Sequence, residues 1–156
     1  MDEERFTALV REHQSLLWHI AYTMLHSEQD ASDAAQEALF KAWRARDSFR
    51  GEASEKTWLT RILVNECRSM RRRKRIFAPL TGLEEAPPAV DHRPLHDALA
   101  ALPDALRLPL VLTYLEGFSV EEAARALSIP SGTVKSRLHR GRKELARRLD
   151  REEFDW

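Results

Sequence analysis

The stretch GTVKSRLHRGRKELARRL, from Gly132 to Leu149, gathers groups able to bind an anion. Lys135, Arg137, Arg140, Arg142, Lys143, Arg147 and Arg148 stand there against a single acid, Glu144. Like charges crowded on one helix repel, so the segment calls for an outside counter-charge. A phosphate backbone supplies it, and arginine and lysine also match guanine edges. A second block, RRRKR from Arg71 to Arg75, poses the same question. The 156 residues carry a formal net charge of +0, but the charge is segregated, with acids collecting at Asp2 to Glu4 and between Glu28 and Glu37. Two basic blocks on otherwise neutral modules point to a polyanionic partner rather than to general basicity.

Covalent chemistry has no comparable signal. There is no glycine-rich phosphate loop, no paired-cysteine metal pattern and no nucleophile with its base, so neither catalysis nor a cofactor nor a metal is expected. His92 and His96 share a helical interval, but Pro94 lies between them and chance spacing is the better reading. His13, His19 and His26 have no carboxylate at a ligating interval and read as surface or core imidazoles. The single cysteine, Cys67, sits in an apolar stripe and reads as a small buried hydrophobe, which suits a reducing compartment. The acidic opening MDEERF has no apolar signal core, and no uncharged apolar run approaches a membrane span. The expectation is a cytoplasmic protein without membrane insertion.

The elements that must position these groups are helices. Glycine is scarce, strand-like alternation is absent, and apolar residues recur at helical spacing, so the fold class is all-α. Phe6, Leu9, Val10, Leu17, Ile20, Met24 and Leu25 mark a first helix. Asp30 is the expected cap of a second, with Ala31, Ala35, Ala38, Leu39, Ala42 and Trp43 inward. Ser54 is the expected cap of a third, with Trp58, Leu59, Ile62 and Met70 inward. These three make one bundle over residues 1–75. Pro79, Pro87, Pro88, Pro94 and Gly82 predict a flexible linker without regular structure over residues 76–94. A second small domain, residues 95–156, breaks at Pro103 and has Pro109 inside a helix, where a bend or restart is expected. Gly117 is the expected C-terminal cap, and Ser119 with Glu122 forms a capping box for VEEAARALS. The turn IPS then leads into the basic helix, which gives a helix-turn-helix.

On that basic helix Val134, Leu138, Gly141, Leu145 and Leu149 define the packed side, with Gly141 admitting a close neighbour. The other side presents Thr133, Ser136, Arg137, Arg140, Lys143 and Arg147. A cationic amphipathic helix closing a bundle is the plainer reading of such spacing. The capped helix before it, the turn and the charge excess occur together, and that combination favours DNA. In the first bundle Asp33, Gln36, Glu37, Phe40 and Arg44 lie opposite the alanines, which puts two carboxylates and a ring in solvent. The loop RARDSFRGEASEKTW is polar, turns at Gly51 and holds Phe49 and Trp58, of which Trp58 reads first as core. Asn65, Arg68, Arg71, Arg72, Arg73, Lys74 and Arg75 end the third helix, and five cations in a row exceed what a helix dipole needs. A surface that tracks a nucleic-acid backbone explains the excess.

From LPDALRLPLVLTYLEGFSVEEAARALSIPSGTVKSRLHRGRKEL the chain resembles the promoter-reading domain of extracytoplasmic-function (ECF) sigma factors of bacterial RNA polymerase, with GTVKSRLHRGR as the most specific part. DASDAAQEALFKAW resembles the polymerase-binding helix of the same family. The resemblance runs from about Phe6 to Leu149 and leaves the linker unmatched. It implies a transcription initiation factor whose partners are core RNA polymerase, through its clamp helices and flap, and promoter DNA. It also implies an anti-sigma factor as regulator. The implied minus-thirty-five contacts are Thr133, Lys135, Ser136, Arg137, His139 and Arg140. Asn65, Arg68 and the Arg71 to Arg75 block would serve the minus-ten element and the opened strand. Asp33, Gln36, Glu37, Phe40 and Arg44 would meet the polymerase, and the polar loop would hold a flipped base. Ser69 departs from the acid that family members often carry there. An autonomous helix-turn-helix regulator and an adaptor protein are the competing readings, and neither needs a second DNA face.

Overall fold

A computed structural model describes residues 1–81 and 94–151, and every regular element among the described residues is helical. The chain divides into two compact units, Met1–Pro88 and Ala89–Trp156.

The first unit is a three-helix bundle of α1 (Glu3–Leu25), α2 (Glu28–Arg44) and α3 (Glu55–Thr81). Asp2 caps α1 by accepting the Arg5 N–H at 2.8 Å. The helix stops where His26 turns into the left-handed region at φ 57°. Ser27, and not the expected Asp30, caps α2: its hydroxyl accepts the Asp30 N–H at 3.2 Å. After His26 reverses the chain, Ser27 is the first extended residue with an acceptor oxygen, so the helix starts three residues earlier. Asp30 then sits in the first turn, where a carboxylate favours the helix dipole. Ser54 caps α3 as expected, accepting the Thr57 N–H at 3.1 Å.

Small residues along α2 let both neighbours approach. Ala31, Ala34, Ala38 and Ala42 are buried, as are Leu9, Leu17, Ile20 and Met24 of α1 and Leu59, Leu63 and Val64 of α3, the two helices on which α2 packs. Relative to the expected stripes the buried lines are slightly rotated. Ala34, Leu63 and Val64 are fully inside, while Ala35, Leu39, Trp43, Trp58, Ile62 and Met70 straddle the edge. Cys67 is buried as expected, and burial, with Glu66 next to it, pushes its thiol up to about 12. It is therefore neutral and poorly reactive near neutrality.

Helical structure does not end at Arg75. It continues to Thr81, into the segment expected to lack it: no glycine or proline interrupts the chain between Gly51 and Pro79, and Pro79 itself falls in the last turn. The remainder of the expected linker, residues 82–93, lies outside the described residues, as do His92 and the EEFDW tail.

The second unit contains α4 (Pro94–Ala101), α5 (Asp104–Leu110), a π-helical turn (Val111–Leu115), α6 (Val120–Leu127) and α7 (Ser131–Arg151). Pro103 separates α4 from α5 as expected. Pro109 has no N–H to donate, and the hydrogen-bond ladder widens just beyond it: the Glu116 N–H reaches the Val111 carbonyl at 3.0 Å. The expected bend thus takes the form of a widened turn. Gly117, at φ 73°, supplies the left-handed residue that stops it. The capping box is complete, with the Glu122 N–H on the Ser119 hydroxyl at 3.0 Å and the Ser119 N–H on the Glu122 carboxylate at 3.1 Å.

Helix α7 closes on α5 and α6 through Val134, Leu138, Gly141 and Leu149, all buried. A Cβ at Gly141 would lie 2.9 Å from Leu110 Cδ1 and 3.4 Å from the Leu106 carbonyl oxygen. That spacing predicts that Gly141→Val destabilises the second unit by about 1–3 kcal/mol through overpacking. Thermal denaturation of the full chain should show a lowered transition, and an unchanged one would mean that α5 yields freely.

Candidate nucleic-acid interface

The helix-turn-helix is built from α6, a tight turn and α7. Ser128 adopts φ 58°, and the Ile129 N–H returns to the Ala124 carbonyl at 3.0 Å, which fixes the turn. Pro130 then starts α7, its carbonyl accepting the Thr133 N–H at 3.0 Å. With the packed side turned inward, Lys135, Ser136, His139 and Arg140 are exposed and Thr133 and Arg137 half-buried. The structure brings these six together on the first turns of α7.

Charge on α7 is divided along its length. Glu144 pairs with Arg147 and, at 3.4 Å, with Arg148, and Arg142 donates to the Tyr114 hydroxyl at 2.6 Å. Arg147, expected on the outward stripe, is thus turned to an acid of its own helix. Lys135, Arg137, Arg140 and Lys143 form no ion pair among the described residues. The unbalanced cations therefore sit toward the N-terminal half, where a recognition helix meets base edges.

Arg107 on α5 was not legible as a positioning group. It is buried, its Nη1 donating to the carbonyls of Ala100 at 3.0 Å and Leu102 at 2.9 Å, and it pairs with Asp104. Desolvation lowers its pKa. It ties off the end of α4 on the helix that carries Leu106 and Leu110 against α7. The signal present in the sequence was one cation amid the apolar run LRLPLVL.

In the first unit Asp33, Gln36, Glu37, Phe40 and Arg44 all lie exposed on α2, with Phe40 at 55%. Asp33 accepts a hydrogen bond from Gln29 at 3.0 Å. The following corner is held by Arg46. Arg46 lies 3.7 Å over the Trp43 ring and donates to the Trp43 carbonyl at 2.7 Å, closing the end of α2. In the polar loop Phe49 meets Trp58 at 5.2 Å between centroids, and Trp58 is half-buried, in keeping with a partly structural ring.

Along α3 Asn65, Arg72, Arg73, Lys74 and Arg75 are exposed and Arg68 and Arg71 half-buried. The block was expected to end the helix, but α3 runs past it to Thr81, so helix-end compensation does not explain the charge. Arg73 and Lys74 face carboxylates. Glu66, 2% exposed, is paired with Lys41 of α2 and, at 3.4 Å, with Arg73, and Asp30 of α2 is paired with Lys74.

Both units match known families. Residues 9–76 match Sigma-70 region 2, and residues 92–145 match Sigma-70, region 4. The ECF RNA polymerase sigma factor SigM of Mycobacterium tuberculosis is 36% identical over 155 residues, covering 95% of this chain and 79% of that relative. The ECF sigma factor SigW of Bacillus subtilis is 30% identical over 169 residues, covering 95% and 90%. The chain belongs to the ECF sigma factor family. Among solved structures, the sigma factor RpoE in complex with the anti-sigma factor NepR from Bartonella quintana superposes with a TM-score of 0.79 at 31% identity, covering 94% of this chain and 98% of that one. The chain is accordingly a transcription initiation factor that binds core RNA polymerase and directs it to promoters. Among the described residues no helix is long and apolar enough to cross a membrane.

Because Arg107 holds the α4 end against the helix that seats α7, Arg107→Ala should cost about 3 kcal/mol by leaving Asp104 and two carbonyls without their donor. Urea unfolding of the full chain checks this, with a loss below about 0.5 kcal/mol as the contrary result.

Proposed function

We propose a division of labour between the two sigma regions. Residues 1–75 bind core polymerase and the minus-ten element, residues 95–156 bind the minus-thirty-five element, and residues 76–94 connect them. In this reading Thr133, Lys135, Ser136, Arg137, His139 and Arg140 enter the major groove of the upstream element. Asn65, Arg68 and the Arg71 to Arg75 block face the minus-ten region and its opened strand. Asp33, Gln36, Glu37, Phe40 and Arg44 dock on the clamp helices, where carboxylates meet basic residues. The observation that carries it is the split of charge on α7: its outward cations lack acids toward the N-terminal half, while Glu144 pairs with Arg147 and Arg148 in the C-terminal half. That arrangement suits a helix whose leading end meets DNA.

The chain then supplies binding and positioning, and the polymerase supplies the chemistry. It works in the cytoplasm, with no cofactor or metal of its own. An anti-sigma factor covering these surfaces is part of the proposal, supported by the likeness to RpoE, which was solved with NepR.

Reconstitution tests the whole reading. The purified chain, mixed with sigma-free core polymerase and a promoter from its own genome, should yield specific run-off transcripts. Tight DNA binding without polymerase and without transcripts would favour an autonomous regulator. Arg140→Ala should weaken upstream-element binding by about 1–3 kcal/mol with a changed sequence preference. A uniform loss across sequences would reduce Arg140 to a phosphate contact. Glu37→Lys should impair core binding, measured by co-sedimentation, and equal affinity would remove α2 from the interface.

A further inference from the structure

Helix α3 turns by about 100° per residue, so the five cations Arg71 to Arg75 cannot share one face. The side chains that do share one are Arg61, Asn65, Arg68, Arg72 and Arg75, spaced by alternating steps of four and three residues. They fall within an arc of about 80° and extend over about 21 Å of helix. Arg61, Asn65, Arg72 and Arg75 are exposed and Arg68 half-buried. Among the described residues Arg61, Arg72 and Arg75 form no ion pair.

Arg73 and Lys74 stand well away from that line and meet the acids of the α2–α3 seam. Glu66 is 2% exposed and needs cationic partners, which Lys41 and Arg73 provide from two helices. Asp30, on the first turn of α2, is paired with Lys74. A cation already neutralised by a carboxylate brings little free charge to a phosphate and releases few counterions when one arrives.

Resting on the reading of α3 as the DNA face of the first unit, we infer that the surface tracking the DNA backbone is the outer stripe from Arg61 to Arg75, which adds Arg61 to the site, whereas Lys74 is a positioning residue that holds α2 in register on α3 through Asp30, and Arg73 shares the buried Glu66 carboxylate with Lys41 of α2. The ligand is a phosphodiester backbone. The stripe offers mostly guanidinium groups on one helical line and lacks the varied donors and acceptors that base reading requires. Through Lys41 and Asp30 the inner pairs fix the helix whose outer face carries Asp33, Glu37 and Phe40. The same basic block therefore serves DNA on one side and the polymerase-docking helix on the other.

The salt dependence of DNA binding separates the two roles. Holoenzyme is formed at saturating sigma and titrated with a fragment of the promoter used for run-off, carrying an unpaired minus-ten strand. The triple variant Arg61→Gln, Arg72→Gln, Arg75→Gln should reduce the slope of log K against log salt by roughly 2 to 3, since each lost phosphate contact removes about 0.7 to 0.9. The variant Arg73→Gln, Lys74→Gln should leave that slope as in the parent chain while weakening core binding. The exchange Asp30→Lys with Lys74→Asp should restore core binding. A slope reduced equally by Arg73→Gln, Lys74→Gln would overturn the partition. If neither set moves the slope while both holoenzymes still transcribe, α3 is not a backbone surface and the underlying assignment fails as well.

Discussion

The close seating of α7 on α5 at Gly141 is the constraint on which the second unit rests. A helix that displays Lys135, Arg137, Arg140 and Lys143 without an ion pair among the described residues gains little from its own surface, where each like-charged neighbour costs about 0.2–0.5 kcal/mol. The seam on its other side is worth more. Val134, Leu138 and Leu149 are buried, and burying each such side chain contributes about 1.5–3 kcal/mol. The apolar contacts therefore outweigh the repulsion several-fold, and the charge can be kept for a ligand. Leu110 occupies the space that a side chain at position 141 would take, so the depth of that seam depends on glycine.

The first unit meets the same problem with charge instead of apolar depth. Its α2 stripe is alanine, which allows close helices but buries little area per residue. Glu66 and Asp30 then lie between α2 and α3, each paired with a cation of the opposite or the same helix. A buried carboxylate costs several kcal/mol to desolvate and its pairs do little more than offset that. What it provides is register: a slip of α2 along α3 would take Lys41 from Glu66 and Asp30 from Lys74. The interface with polymerase depends on where α2 presents its outer face, so register matters there more than added stability.

Local pattern made most of this legible. Helical period, the Ser119 and Glu122 capping box, the break at Pro103 and the glycine at 141 all act through residues within a turn or two, and sequence displays such relations directly. What stayed hidden depends on distant partners or on the exact start of an element. Lys74 and Asp30 are 44 residues apart, and Lys41 and Glu66 are 25 apart, so no window over RRRKR could divide it. Asp30 is the expected cap and Ser27 the observed one, a difference set by the left-handed turn at His26. The role of Arg107 lay outside any local pattern because its carbonyl partners come from the end of another helix. The resemblance supplied the partners, which no spacing rule contains.

On the proposed roles, the two DNA faces differ in composition for a physical reason. The leading half of α7 mixes threonine, serine, histidine, lysine and arginine, a set that can both donate and accept. Base edges present donors, acceptors and methyl groups in a distinct order, and only such a mixture can match them. The outer line of α3 is almost wholly arginine, which binds phosphates strongly and ignores sequence. A duplex element must be read before melting, when its edges are ordered in the groove. A strand being separated changes its bases' geometry while its backbone charge persists. Sequence-tolerant charge on α3 and patterned donors on α7 are thus each suited to the state of DNA they would face, and one short chain can select a site and still hold it as the duplex opens.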